Sequence, residues 1–169
     1  MKTIIVYSSK HATTKKCAEM LSSKLVGEVT VLNLKEKASV NCSGFDNIII
    51  GSPIYAGSLI KEVKEFCDSN LALLKTKKLG LFVTCMKQSG VEEQINNAYP
   101  KELVELAVAK DSFGGGLIYS DMGFIEKTLI KMVIKASAKQ NPNEPTISTK
   151  QDSLSINERA INLFAERFK

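Results

Sequence analysis

Apolar and polar residues follow one another in blocks along this chain, and the blocks alternate between two periods. Ile4-Ile5-Val6-Tyr7 is an unbroken apolar run. It is followed by the hydroxyl-rich segment Ser8-Ser9-Lys10-His11-Ala12-Thr13-Thr14, and then by Cys17, Ala18, Leu21 and Leu25 at helical spacing. A continuous apolar run bounded by turn residues predicts a strand buried on both faces, and apolar residues three or four apart predict one face of a helix. The succession repeats. Val29–Leu34 reads as a second strand and the polar segment 35–44 as a short crossover. Ile48-Ile49-Ile50 reads as a third strand closed by Gly51-Ser52-Pro53, with Ile60, Val63, Phe66 and Cys67 marking a helix over 59–70. Leu79–Thr84 is a fourth strand, and 91–109 is helical in pattern but broken at Pro100. Phe113–Tyr119 is the predicted fifth strand, whose Gly114-Gly115-Gly116 run implies a bulge or a close backbone approach to a ligand or helix. An additional helix over 124–138, a polar connection with Pro142 and Pro145, and a last helix striped by Ala160, Ile161, Phe164 and Phe168 complete the chain.

Strands alternating with helices predict an α/β fold, a doubly wound five-stranded parallel sheet in the order 2-1-3-4-5 with helices on both faces. The extra helix precedes the last one. No repeat, low-complexity tract or linker divides the chain, so residues 1–169 read as a single domain. In such a sheet ligands sit at the carboxyl ends of strands one, three and four.

Composition narrows the function classes. No stretch is apolar for the length of a membrane span, and the first residues run straight into a strand, which implies no secretory leader. Four dispersed cysteines (Cys17, Cys42, Cys67, Cys85) and one histidine argue against a zinc or disulfide framework and for reduced thiols in the cytoplasm. The net charge of +5 and pI near 9.0 favour anionic partners. No nucleic-acid motif accompanies them.

The candidate chemistry lies in three loops. At the first, free N–H groups of a helix start, the helix dipole and the hydroxyls of Ser9, Thr13 and Thr14 form a cradle for phosphate. Neither the nucleotide P-loop nor the dinucleotide fingerprint is present. At the second, Pro53-Ile54-Tyr55-Ala56-Gly57 carries an aromatic that covers one face of a flat ring. At the third, Thr84-Cys85-Met86-Lys87 offers backbone donors and a soft side chain. A phosphate cradle, a stacking aromatic and a polar loop at neighbouring strand ends describe a mononucleotide bearing a flat ring.

Ser9-Lys10-His11-Ala12-Thr13-Thr14 resembles the first loop of the flavodoxins, roughly [ST]-x-T-G-x-T, matching at Ser9 and Thr14, with His11 and Ala12 replacing the central Thr and Gly. Gly51, Pro53, Tyr55 and Gly57 resemble the second, G-x-P-x-[WY]-x-G. The resemblance covers about 1–119 and the last helix. It implies FMN as cofactor, held by Ser8, Ser9, Lys10, His11, Ala12, Thr13, Thr14, Pro53, Ile54, Tyr55, Ala56, Gly57, Thr84, Cys85, Met86 and Lys87. The segment Phe124–Lys135 is similar to one in the flavodoxin-like, menaquinone-dependent protoporphyrinogen dehydrogenases, although their loop-two Arg is Tyr55 here. The flavin then carries the redox chemistry and the protein sets its binding and potential. The leading expectation is an electron-transferring FMN protein with a redox partner protein or a quinone. The alternatives are the porphyrin dehydrogenase and an interaction module with a degenerate flavin site. The lysines Lys127, Lys131, Lys135 and Lys139 beside apolar Ile125, Leu129 and Val133 fit either a helix packed on its own domain with solvated lysines or peripheral contact with an anionic membrane.

Overall fold

The structure, a computed structural model, describes residues 1–10, 12–37, 39–85, 90–117, 123, 127–128, 131–132 and 153–169. Strand β1 (Lys2–Tyr7) leads into helix α1 (Ala12–Ser22) and strand β2 (Glu28–Asn33). Strand β3 (Asn47–Tyr55), the short β4 (Ser58–Leu59) and helix α2 (Lys61–Leu74) follow. Then come β5 (Lys78–Thr84), α3 (Val91–Ala98), α4 (Lys101–Leu106), β6 (Ala109–Ser112) and β7 (Gly114–Leu117). The chain ends with β8 (Ser153–Ile156) and α5 (Glu158–Glu166).

The main sheet runs β2-β1-β3-β5-β6 with every neighbouring pair parallel, and β4 folds back antiparallel on β3. With the β4 hairpin set aside, this is the expected 2-1-3-4-5 order. The three central strands alternate side chains between the two faces, as the pleat requires. Ile4, Val6, Ile48, Ile50, Leu79, Leu81 and Val83 face one core with Val63, Phe66 and Cys67 of α2 and Ile95 of α3. Ile5, Tyr7, Ile49 and Phe82 face the other, against Cys17, Ala18 and Leu21 of α1 and Ile161 and Phe164 of α5. Unbroken apolar runs arise because both faces are covered. In the second core Phe82 stacks on Phe113 at 4.5 Å, and Phe113 meets Phe164 edge to face at 5.1 Å. Asn157 caps α5, its side-chain carbonyl accepting from the N–H of Ala160 at 3.0 Å.

Three expectations are corrected. The fifth strand is Ala109–Ser112, not Phe113–Tyr119: β6 pairs with β5 in parallel from Gly80↔Ala109 to Val83↔Ser112. Gly114–Leu117 instead pairs antiparallel with Ser153–Ile156 in a separate two-stranded ladder. The close approach implied by the glycine run is therefore to another strand. Third, Gly51-Ser52-Pro53 does not close β3; the strand continues to Tyr55, because Ile54 and Tyr55 pair with β4. Of the additional helix over 124–138, Lys127, Thr128, Lys131 and Met132 are helical, and its other residues lie outside the described ones. Among the described residues no helix is long and apolar enough to cross a membrane.

Candidate functional site

Parallel register brings three strand ends level. Tyr7 lies beside Gly51, which lies beside Phe82, and Pro53 lies beside Thr84. The turn after β1 is polar yet buried: Ser8 is 0% exposed, Thr13 5% and Thr14 1%. Among the described residues the hydroxyls of Ser8 and Thr13 have no hydrogen-bond partner. An unsatisfied buried hydroxyl costs about 1–3 kcal/mol, so two in one turn call for an acceptor or donor that the fold does not supply. Helix α1 begins there, and its first turn carries no acidic side chain to compete for the free N–H groups. A cleft of about 290 Å³ beside this turn is lined by Ala12, Thr13, Lys15, Lys16, Glu19 and Leu154.

Thr14 is engaged. Its Oγ1 lies 2.8 Å from Oγ1 of Thr84, the last residue of β5, so one hydrogen bond joins the first loop to the third. Each hydroxyl carries one proton and two lone pairs. The pair uses one proton internally and retains one.

The second loop is a tight hairpin. Ala56 (φ 49°) and Gly57 (φ 79°) both adopt positive φ between β3 and β4, the mark of a two-residue primed turn. Its base is fastened by Ser52, whose hydroxyl donates to the carbonyl of Pro53 at 2.8 Å and accepts from the N–H of Ile60 at 3.4 Å. Tyr55 stands at the tip, 42% exposed. The Lys10 ammonium lies 5.9 Å from the centre of its ring, so the first loop reaches the second. Gly51, part of the resemblance to the flavodoxin loop, serves packing: a Cβ there would stand 2.0 Å from Cζ of Phe82.

At the third loop Thr84 is buried, and the half-buried Cys85 donates its N–H to the carbonyl of Gly114 at 2.9 Å. The structure thus brings together Ser8, Ser9, Lys10, Ala12, Thr13, Thr14, Pro53, Ile54, Tyr55, Ala56, Gly57, Thr84 and Cys85 at one edge of the sheet. His11, Met86 and Lys87 lie outside the described residues. Burial pushes the thiols of Cys17 and Cys67 up to about 12 and raises that of Cys42, so all three stay neutral and inert near pH 7.

Tyr99 has no counterpart in the sequence reading. It ends α3 fully inside, and its hydroxyl donates to the carbonyls of Ile50 at 3.2 Å and Phe82 at 3.0 Å. Burial, then proximity to Cys67, holds the phenol well above its ordinary range, so it remains a donor. It pins α3 across β3 and β5 beneath the second and third loops. The signal available was a tyrosine directly before the helix-breaking Pro100.

Comparison with known proteins adds the following. The model of the flavodoxin domain matches residues 4–144. No curated protein sequence matches the chain. Among solved structures, oxidised Flavodoxin 1 from Bacillus cereus is similar at TM-score 0.52 and 15% identity, covering 99% of this chain and 97% of that one. The flavodiiron protein from Giardia intestinalis is similar at TM-score 0.56 and 13% identity; 99% of this chain is covered but only 36% of that one. The WrbA-like flavodoxin protein from Agrobacterium tumefaciens is 23% identical over 62% of this chain and 70% of its own, at TM-score 0.49. At such identities the likeness to the Bacillus and Giardia structures speaks to the fold alone, and it agrees with the sheet order described above. The match over residues 4–144 goes further: this chain belongs to the flavodoxin-domain family, a membership that supports FMN as its cofactor.

Proposed function

We propose that this chain is an FMN-binding redox protein that passes electrons through the bound flavin to and from a partner protein or a quinone. One observation carries the reading: Ser8 and Thr13 hold buried hydroxyls without partners among the described residues, at the start of a helix that bears no acid in its first turn. A phosphate supplies the acceptor oxygens these donors lack. Ser8, Ser9, Lys10, His11, Ala12, Thr13 and Thr14 would hold the phosphate, Tyr55 with Pro53, Ile54, Ala56 and Gly57 one side of the ring, and Cys85, Met86 and Lys87, which follow Thr84, the other. FMN, when bound, supplies reversible one- and two-electron chemistry. The protein's part is to bind the phosphate, orient the ring against Tyr55 and shield it from water. The domain spans 1–169.

The test is a titration of the purified protein with FMN and with riboflavin, followed by absorption and flavin fluorescence. Tighter binding of FMN than of riboflavin, with quenched fluorescence, is the expected result. Absence of binding by either flavin would leave a flavodoxin-domain scaffold acting as an interaction module.

A narrower reading is a quinone-dependent protoporphyrinogen dehydrogenase. What favours it is the segment Phe124–Lys135, placed between the two strands of the β7–β8 ladder, whose Lys131 and Met132 are exposed, together with the net charge of +5. Menaquinone-dependent turnover of protoporphyrinogen IX by the FMN-loaded protein tests it. Co-sedimentation with anionic vesicles at low salt tests the accompanying proposal of peripheral membrane contact.

A further inference from the structure

Two buried hydroxyls, 70 positions apart, meet across the candidate site, and their proton count is informative. Thr14 Oγ1 and Thr84 Oγ1 lie 2.8 Å apart, with the residues 1% and 5% exposed. Two orientations satisfy that distance. If Thr14 donates to Thr84, its only proton points away from the helix start and towards β5. If Thr84 donates to Thr14, the Thr14 proton is free to point elsewhere. A phosphate accepts hydrogen bonds, so one placed at the first turn of α1 selects the second orientation. Donation from Thr84 also polarises the Thr14 hydroxyl and strengthens its own donation. Thr84 lies at the end of β5, the strand whose pairing to β3 also sets Thr84 beside Pro53 of the second loop. The hydroxyl is therefore supplied from the rigid sheet rather than from a loop.

We infer that Thr84 is a positioning residue: it donates to Thr14 and thereby sets the Thr14 hydroxyl as a donor to the phosphate of the bound mononucleotide. The inference rests on the FMN reading above and deepens it, since it makes recognition of the phosphate depend on a residue at the end of β5, where the third loop begins. It distinguishes a phosphorylated flavin from an unphosphorylated one through two side chains in series. Their effects are then coupled and not independent.

The experiment measures FMN and riboflavin affinities for the unaltered protein, Thr84→Val, Thr84→Ser, Thr14→Val and the double valine variant, with melting curves reporting the fold of each. Thr84→Val keeps the side-chain shape and loses the proton. It is expected to weaken FMN by about fivefold while riboflavin changes little. Thr84→Ser, which restores the hydroxyl, is expected to bind FMN within about twofold of the unaltered protein. Because Thr14 acts through the same bond, the double variant is expected to lose no more than Thr14→Val alone. An unchanged ratio of FMN to riboflavin affinity in Thr84→Val, or losses that multiply in the double variant, would overturn the inference and leave the FMN reading standing. Should Thr84→Val not fold, Thr84→Ser and a hydroxyl-free Thr84→Ala carry the same comparison. Binding of neither flavin by the unaltered protein would overturn both.

Discussion

In the turn after β1 polar groups are inside, and at the tip after β3 an aromatic ring is outside. Ser8, Thr13 and Thr14 are buried, two of their three hydroxyls without a partner among the described residues, whereas Tyr55 is exposed at the end of a hairpin. Each placement runs against the usual sorting of side chains, in opposite senses. The first costs stability through unmet hydrogen bonds; the second forgoes the burial of a large ring. A bound mononucleotide would meet both deficits at once, its phosphate supplying acceptors to the turn and its ring covering the tyrosine. What the contrast teaches is that the turn is built for charge and direction, the tip for area and shape, so variants of the two should fail in different ways.

The largest effect is expected from Thr14→Val. Removing a donor to a charged acceptor should weaken FMN by about 1.5–3 kcal/mol and leave riboflavin little changed. Equal losses for both flavins, measured by titration, would place the phosphate elsewhere and erase the contrast. Thr13→Val should then give the opposite sign in the absence of ligand. It removes an unpartnered buried hydroxyl at nearly constant shape, so the ligand-free protein should gain up to about 1–3 kcal/mol in urea unfolding while FMN binds less tightly. A loss of stability without ligand would mean that the hydroxyl already has a partner. Tyr55→Ala should leave the fold intact and weaken FMN and riboflavin alike, by about 0.5–1.5 kcal/mol beyond lost area, with Tyr55→Trp tolerated. An effect confined to FMN would assign the tip to the phosphate and merge the two regions. The smallest effect is expected from Lys10→Met, which breaks a bridge between turn and tip, an exposed contact worth about 0.5 kcal/mol. Its clearer readout is the reduction potential of the FMN complex. A cation near the ring favours the anionic reduced flavin, so its removal should make the second one-electron step more negative in spectroelectrochemical titration.

How far these features could be read from sequence depends on how local they are. The central strands were legible because burial on both faces leaves an uninterrupted apolar run, as in Ile48-Ile49-Ile50. The edge strand β6 was not. Ala109-Lys110-Asp111-Ser112 buries only its first and last residues, and it follows a helical pattern that runs on to Ala109. Phe113, fully buried, drew the fifth strand one step too far along the chain. The β7–β8 pairing joins residues nearly forty positions apart, which no window of periodicity can see. In the candidate site, hydroxyls and turn residues were legible by type and spacing. Which hydroxyls would be orphaned and which would meet, as Thr14 meets Thr84, depends on register between β3 and β5. Tyr55 was placed correctly at a tip, but the tip is the end of a strand and not a loop beyond it.

The β7–β8 ladder has a further consequence, for how such a domain changes over evolutionary time. Leu117 and Ser153 are paired across it, so the two ends of the sequence between them are held at one point, fixed by Gly114↔Ile156 and the pairs between. The entropic cost of a loop closed at fixed ends grows only slowly with its length. Sequence held between two such fixed ends can lengthen, shorten or be exchanged at little loop-closure cost, and the ladder would then serve as a port into which new sequence can be written. A short turn joining Leu117 directly to Ser153 should give a protein that keeps its melting cooperativity and its FMN affinity, and whose lost properties, whatever they prove to be, were those of the inserted segment.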